Sequence, residues 1–269
     1  MVIDFHTHAF PDKIAKKTID FLAEKSNQTP YSDGSVLGLL SEMERGGIDL
    51  SVVLPVVTSP MQFESVNRFA KEINEKYFKD GKGLLSFGGI HPLCEDLEGK
   101  MKEIKRLGLP GVKIHPDYQN TFIDDDAYVK IMRCAIENDL IVVTHAGVDA
   151  GFPDAPVRCT PERVLDLLRK APHKKLVLAH LGGNKMLSEV LDVIAGKDVY
   201  LDTAYVLRNV DKNGFCRLIE KHGEDKILFA TDSPWSGMSE DKEIIKSFGL
   251  PSAAEKKIFS ENAKKLLRI

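Results

Sequence analysis

The chain has 269 residues, 43% of them hydrophobic and 29% charged, with a formal net charge of -3. That balance excludes a basic nucleic-acid surface and an acidic tail, and no apolar run approaches the roughly 20 residues that a membrane span needs. The length admits two small domains or one large α/β domain. Val2 to Phe5 is too short an apolar stretch for a signal peptide. Cys94, Cys134, Cys159 and Cys216 are widely spaced and form no CxxC pair, so they read as reduced thiols, and a cytoplasmic protein is expected.

The chain opens on "VIDFHTH", a short run that ends in His6 and His8. A long connection over 9–34 follows, with the helix-like "DKIAKKTIDFLAEK" inside it. "SVLGLLSEMERGG" then places Val36, Leu39, Leu40 and Met43 on one helical face, capped by Ser35 and stopped at Gly46-Gly47. "LSVVLPVV", "LLSFGGIHP" and "GVKIHP" read as the next strands. "DDDAYVKIMRCAIEN" predicts a helix that opens with acids and aligns Tyr128, Ile131, Met132, Ala135 and Ile136. "LIVVTHAG" is a fifth strand, followed by "AGVDAGFPDAPVRC", a loop longer than a strand-helix turn needs. "TPERVLDLLRK" has Thr160 as cap and Pro161 at the first helical position. "KLVLAHLGG", "VYLDTAYV" and "ILFATDSPW" complete eight strands. "SAAEKKIFSENAKKLL" closes the chain with an expected Ser252/Glu255 capping box and with Ile258, Phe259 and Leu266 buried.

Alternation of apolar strands with amphipathic helices argues for a parallel sheet covered by helices. Eight such units at this length fit a (β/α)8 TIM barrel, and no linker divides the chain, so a single domain over 1–269 with an insertion after strand 1 is expected. The runner-up is an open doubly wound sheet, but no GxGxxG or GxxxxGK[ST] follows a strand. The insertion after strand 1 and the long fifth loop would lie over the mouth where a barrel places its chemistry.

Six of the eight histidines, His6, His8, His91, His115, His145 and His180, fall at C-terminal strand ends. His173 and His222 do not and are given no role. Alternation along a strand points His6 and His8 the same way, with Cα atoms about 6.5 Å apart. The same parity groups Leu176, Leu178 and His180; Leu228, Ala230 and Asp232; and Gly111, Lys113 and His115. Neutral imidazoles with a carboxylate suit zinc, and also iron, manganese or nickel. The expected ligand set is His6, His8, His145 and Asp232, with His180 as a further ligand or substrate-polarising group. His91 and His115 are candidates for lining the pocket or binding substrate.

HxH on strand one, "VVTHAG" on strand five, "LAHLGG" on strand six and "FATDSPW" on strand eight resemble the amidohydrolase superfamily. The closing "IFSENAKKLL" is similar to the terminal helix of its amidohydrolase-2 group, which includes relatives of aminocarboxymuconate semialdehyde decarboxylase. The resemblance runs from His6 to about Leu267. It implies a barrel with one or two metal ions, His6, His8 and His145 as ligands, Asp232 as ligand and proton shuttle, and His180 as second-metal ligand or polarising group. "GVKIHP" is similar to a strand whose lysine, here Lys113, is carboxylated and bridges two metals; the alternative is a cation for a substrate carboxylate.

The leading expectation is a zinc-dependent hydrolase of a small amide, lactam, ester or lactone. In it the metal activates water, Asp232 shuttles the proton and the metal or His180 stabilises the oxyanion. Arg158, in the fifth loop, is a candidate for the substrate carboxylate. The alternative is metal-dependent, non-oxidative decarboxylation of a small unsaturated or aromatic acid. A third reading is a non-catalytic binder that keeps the fold. The expected partner is a small-molecule substrate, with neither nucleic acid nor membrane, and a homo-oligomer stays open.

Overall fold

The computed structural model describes residues 1–269. Its eight barrel strands are β1 (Ile3–Thr7), β2 (Leu50–Val53), β3 (Lys82–Ser86, continuing at Gly88–Gly89), β4 (Gly111–Ile114), β5 (Ile141–Thr144), β6 (Leu176–Leu178), β7 (Tyr200–Asp202) and β8 (Ile227–Leu228). Each pairs in parallel with its sequence neighbour. The last strand meets the first: Phe5 N donates to Phe229 O at 2.9 Å and Asp232 N to His6 O at 2.8 Å. The chain is therefore an α/β protein with the (β/α)8 barrel fold, and the open doubly wound sheet falls away.

Two apolar layers follow from strand alternation. Phe5, Val52, Phe87, Val143, Val177 and Leu228 pack inside the barrel. Val53, Val112, Val142, Leu176, Leu178 and Phe229 face outward against the helices. At Gly111 an added Cβ would lie 2.2 Å from Ile141 O and 2.8 Å from Phe87 Cε2, so only glycine fits.

After α1 (Asp12–Ser26), whose buried Ala15 and Ile19 belong to neither layer, the helices that cover the outer layer include α2 (Val36–Gly46), α3 (Phe63–Tyr77), α4 (Leu97–Arg106), α5 (Asp126–Glu137) and α6 (Pro161–Lys170). They continue with α7 (Leu187–Val193), α8 (Lys212–His222) and α9 (Met238–Ser247). Ser35 caps α2 by accepting from Gly38 N, and Gly47 ends it at φ 62. Thr160 caps α6 with Pro161 behind it. The insertion after β1 holds α1. No helix is long and apolar enough to cross a membrane.

Two local expectations are corrected, and two features are added. The Ser252/Glu255 capping box does not form: Pro251 is the N-cap, and Ser252 is already the first helical residue. The closing helix instead carries a π-turn at Lys257–Glu261 before it ends at Leu267, and Ile258, Phe259 and Leu266 are buried as expected. Ile136 is 43% exposed, because the buried stripe of α5 runs through Tyr128, Ile131, Met132 and Ala135. A two-residue strand, Phe78–Lys79, folds back on β3 through Asp80 and Gly81, both at positive φ. The "DG" pair that turns it is a hairpin signal.

Candidate functional site

His6 and His8 lie at the end of β1, where the strand bulges. Ile3 and Asp4 pair with Leu50 and Ser51, but the next register pair is Thr7 with Val53. The extra residue lets Phe5 pack in the interior while its neighbour His6 also turns inward. His8 keeps the phase of His6, and the two rings lie edge to face at 5.2 Å.

The outer nitrogens of these rings are tied down. His8 Nδ1 donates to Leu54 O at 2.9 Å, and His180 Nδ1 donates to Ala204 O at 2.9 Å. A carbonyl only accepts, so each Nδ1 carries the proton and each Nε2 keeps its lone pair in the neutral ring. His6 Nδ1 meets Asp202 Oδ2 at 2.9 Å, and its Nε2 takes a bond from Lys113 Nζ at 3.0 Å. Burial holds the His6, His145 and His180 imidazoles below their ordinary range, so they stay neutral.

Asp232, from β8, completes this group. Its Oδ1 lies 3.0 Å from His8 Nε2 and 3.3 Å from His6 Nε2. Three polar atoms therefore converge, and a singly protonated His8, its proton given to Leu54 O, has none to place in the 3.0 Å contact between its Nε2 and the carboxylate. A cation resolves that arrangement, and His6, His8 and Asp232 form one group with metal-ligand spacing. The residues fit a divalent metal.

His180 reaches the site by a different route from the one parity suggests. Leu176 and Leu178 face the helices while Val177 faces the interior, so strict alternation would turn His180 outward. The strand ends at Leu178, and a left-handed backbone at His180 (φ 60) and Leu181 (φ 54) turns the ring in. Asp232 also sits at φ 67. Left-handed non-glycine residues are costly and are held only by surrounding structure.

His145 lies between this group and a second one. Its Nδ1 is 2.9 Å from His180 Nε2. Its Nε2 is buried without a hydrogen-bond partner, 3.9 Å from Asp149 Oδ2 and 4.0 Å from Asp117 Oδ2. His115 stacks on it at 4.3 Å and bonds Asp149 at 3.2 Å. The loops that carry His145 and His180 are fastened together: Asn184 N donates to Ala146 O and Val148 N to Asn184 O, both at 3.0 Å. A Cβ on Gly147 would lie 2.1 Å from Asn184 N, which only glycine avoids.

Arg158 and His91 sit farther out, whereas Lys113 and Asp202 lie against His6. Arg158 is engaged with Asp117 at 3.3 Å and Asn120 at 2.6 Å. His91 is buried and accepts from Leu93 N at 3.1 Å. Lys113 is buried beside His6; burial pushes its ammonium down, against the pull of Asp202 and Asp232. Asp202 was not anticipated from the sequence. It is fully buried, pushed up by that burial, and supports both His6 Nδ1 and the backbone N of His180. Its one signal was an acid closing the strand "VYLD" at the rim level of Asp232.

The family described as Amidohydrolase matches residues 3–269. No curated protein matches in sequence. Among solved structures, a TIM-barrel protein from Bordetella bronchiseptica superimposes with a TM-score of 0.76 at 18% identity, over 99% of this chain and 98% of that one. A 2,6-dihydroxybenzoate decarboxylase from Rhizobium gives 0.73 at 17% identity, over 99% and 98%. A 5-carboxyvanillate decarboxylase from Novosphingobium aromaticivorans, complexed with manganese and 4-hydroxy-3-methoxy-5-nitrobenzoic acid, gives 0.72 at 16% identity, over 100% and 96%. Hydrolysis, the leading expectation, is corrected by these matches: both of the structures above that are named for an activity are decarboxylases. Zinc has no counterpart in the manganese complex either.

Proposed function

Because the chain belongs to the amidohydrolase family and is a metal-dependent enzyme, we propose that it removes carbon dioxide, without oxidation, from a small unsaturated or aromatic carboxylic acid. The observation that carries the metal is the convergence of His6 Nε2 and His8 Nε2 on Asp232 Oδ1, at 3.3 Å and 3.0 Å, in a group with metal-ligand spacing. The direction of the chemistry is supported by full-length likeness to decarboxylases of carboxylated phenols.

In this reading His6, His8 and Asp232 hold the ion, and manganese is the first metal to try. A divalent cation there supplies positive charge that holds the substrate's acid or phenol oxygens and stabilises charge developing beside them. Asp232, with 13% of its side chain exposed, is the acid within reach of substrate. Having first taken a proton from solvent, it delivers that proton to the carbon that carries the carboxylate. As the new C–H bond is completed, the C–C bond to the carboxylate breaks, its electron pair returns to the substrate, and carbon dioxide leaves.

Lys113 acts here as an amine that bonds His6 and offsets the Asp202 and Asp232 carboxylates, not as a bridging carbamate. His180 keeps the inner wall of the site by its bonds to Ala204 O and His145. Arg158 holds Asp117 in place of a substrate acid. His91 ties a loop at the rim.

The test is a panel of hydroxybenzoates and unsaturated acids, incubated with manganese-loaded protein in heavy-oxygen water and, separately, in heavy water. Carbon dioxide should be evolved, the organic product should gain no solvent oxygen, and one deuterium should appear at the vacated carbon. Asp232→Asn should slow the reaction at least about 1,000-fold, because it removes both an anionic ligand and the acid. Solvent oxygen in the organic product would sink the proposal.

A further inference from the structure

We propose that Tyr205, in the loop after β7, is a substrate-binding residue whose phenol donates a hydrogen bond to an oxygen of the bound acid. This inference rests on the decarboxylase reading of the site, and it adds a donor that the metal group lacks.

Backbone geometry places it. Beyond the ends of β6, β7 and β8 the chain turns through left-handed residues that are not glycine: His180 (φ 60), Tyr205 (φ 66) and Asp232 (φ 67). His180 and Asp232 enter the site by that turn, and Tyr205 stands between them in strand order. A single peptide group holds it there. The carbonyl of Ala204 accepts from His180 Nδ1 at 2.9 Å. The N–H on the other side of the same peptide, that of Tyr205, donates to Thr231 O at 3.2 Å, the residue before Asp232. The peptide is thus wedged between the two site residues. A left-handed tyrosine is strained, and such strain persists only where the surroundings fix it, typically at working sites.

The side chain has no structural employment. Ala204 packs in the inner apolar layer, and Val206 and Leu207 pack in the outer one. The Tyr205 ring, half-buried, joins neither layer. Two other tyrosine hydroxyls are engaged: Tyr128 donates to Gln119 Oε1 at 2.6 Å, and Tyr31 accepts from Arg208. The Tyr205 hydroxyl bonds no group of the chain. Burial raises this phenol, and the Asp232 and then the Asp149 carboxylates raise it further, so it keeps its proton at neutral pH. Those two acids come from the loops after β8 and β5, one on each side of β7 in strand order. Cations near the mouth are already committed, Lys113 to His6 and Arg158 to Asp117. A bound acid brings more acceptors to a rim of carboxylates, and Tyr205 supplies the donor that meets them.

The test is steady-state kinetics on manganese-loaded protein, with whichever acid of the hydroxybenzoate and unsaturated-acid panel the wild type turns over. Tyr205→Phe deletes one oxygen and keeps the ring. It should raise KM at least about tenfold, as expected for a bond to a charged acceptor, with kcat held within about threefold. Its melting temperature should stay within about 2 °C of the wild type, because no bond inside the chain is lost. Tyr205→Asn accepts the left-handed backbone more readily, so it should bind substrate as weakly and melt no lower than the wild type. A packing ring would do the reverse, holding KM and lowering the melting temperature in both variants. That pattern, or an unchanged KM in Tyr205→Phe at any melting temperature, overturns the proposal and leaves decarboxylation standing. A wild type that evolves carbon dioxide from no acid of the panel overturns both.

Discussion

The two ends of the barrel treat histidine in opposite ways. At the N-terminal end, His173 Nε2 donates to Leu140 O at 2.8 Å and His222 Nε2 to Val199 O at 3.1 Å, and each Nδ1 accepts a backbone N–H. Both rings are buried and every polar atom is used. At the C-terminal rim His6, His145 and His180 are just as buried and His8 is half-buried, yet their inner nitrogens face carboxylates or one another. Burial alone therefore says nothing about function. What separates a packing histidine from a ligand is whether its second nitrogen has been given a partner.

The same contrast predicts where stability is lost. Asp241, in the first turn of α9, is fully buried with one oxygen unpartnered, and burial pushes its carboxyl up to about 7. The folded chain thus holds a proton that the unfolded chain releases above about pH 4. Proton binding that favours the folded state makes stability fall as pH rises from about 4 to about 7. Asp241→Asn should gain about 3 kcal/mol on the wild type between pH 5 and pH 8, read from urea melts at both. Parallel pH profiles for the two proteins would remove Asp241 as a cost to stability.

A smaller effect is expected one layer behind the metal. Asp202→Asn keeps the shape of the support under His6 but removes its charge, and should weaken manganese binding about 10–100-fold with little change in melting temperature. An unchanged affinity would make Asp202 a packing group like those at the other end. Smallest is His173→Phe, which keeps the ring and deletes its bond to Leu140 O. It should cost about 1 kcal/mol of stability and leave turnover per folded molecule unaltered. A lost activity there would break the distinction between the two ends.

The strands were legible because each is an apolar run buried on both faces, and such runs have few other uses. His6 and His8 were legible because a two-residue spacing survives the bulge that carries them. The inward turn of His180 was not, since it depends on two left-handed residues that a leucine and a histidine do not announce. Asp202, Asp117 and Asp149 were hidden for another reason. An acid at a strand end or in a loop looks like a cap or a solvated charge until the fold shows what lies behind it. The hairpin at Asp80-Gly81 was readable in principle, and an eye set on eight strands passed over it.

The closing seam carries a consequence for assembly. His6 and His8 are among the first residues of the chain and Asp232 stands near its end, yet they face one another across the join between β1 and β8. That join is held by Phe5 N to Phe229 O, by Asp232 N to His6 O, and by the Asp4 carboxylate on the Thr231 N–H and hydroxyl. An ion gripped by both strands acts as a rivet through the seam, and free metal at 100 times its dissociation constant adds about 2.7 kcal/mol to the closed form. No partly made chain owns the rivet hole, because its two halves are synthesised more than two hundred residues apart. With the ligand set proposed above, metal uptake would signal that the ring has shut.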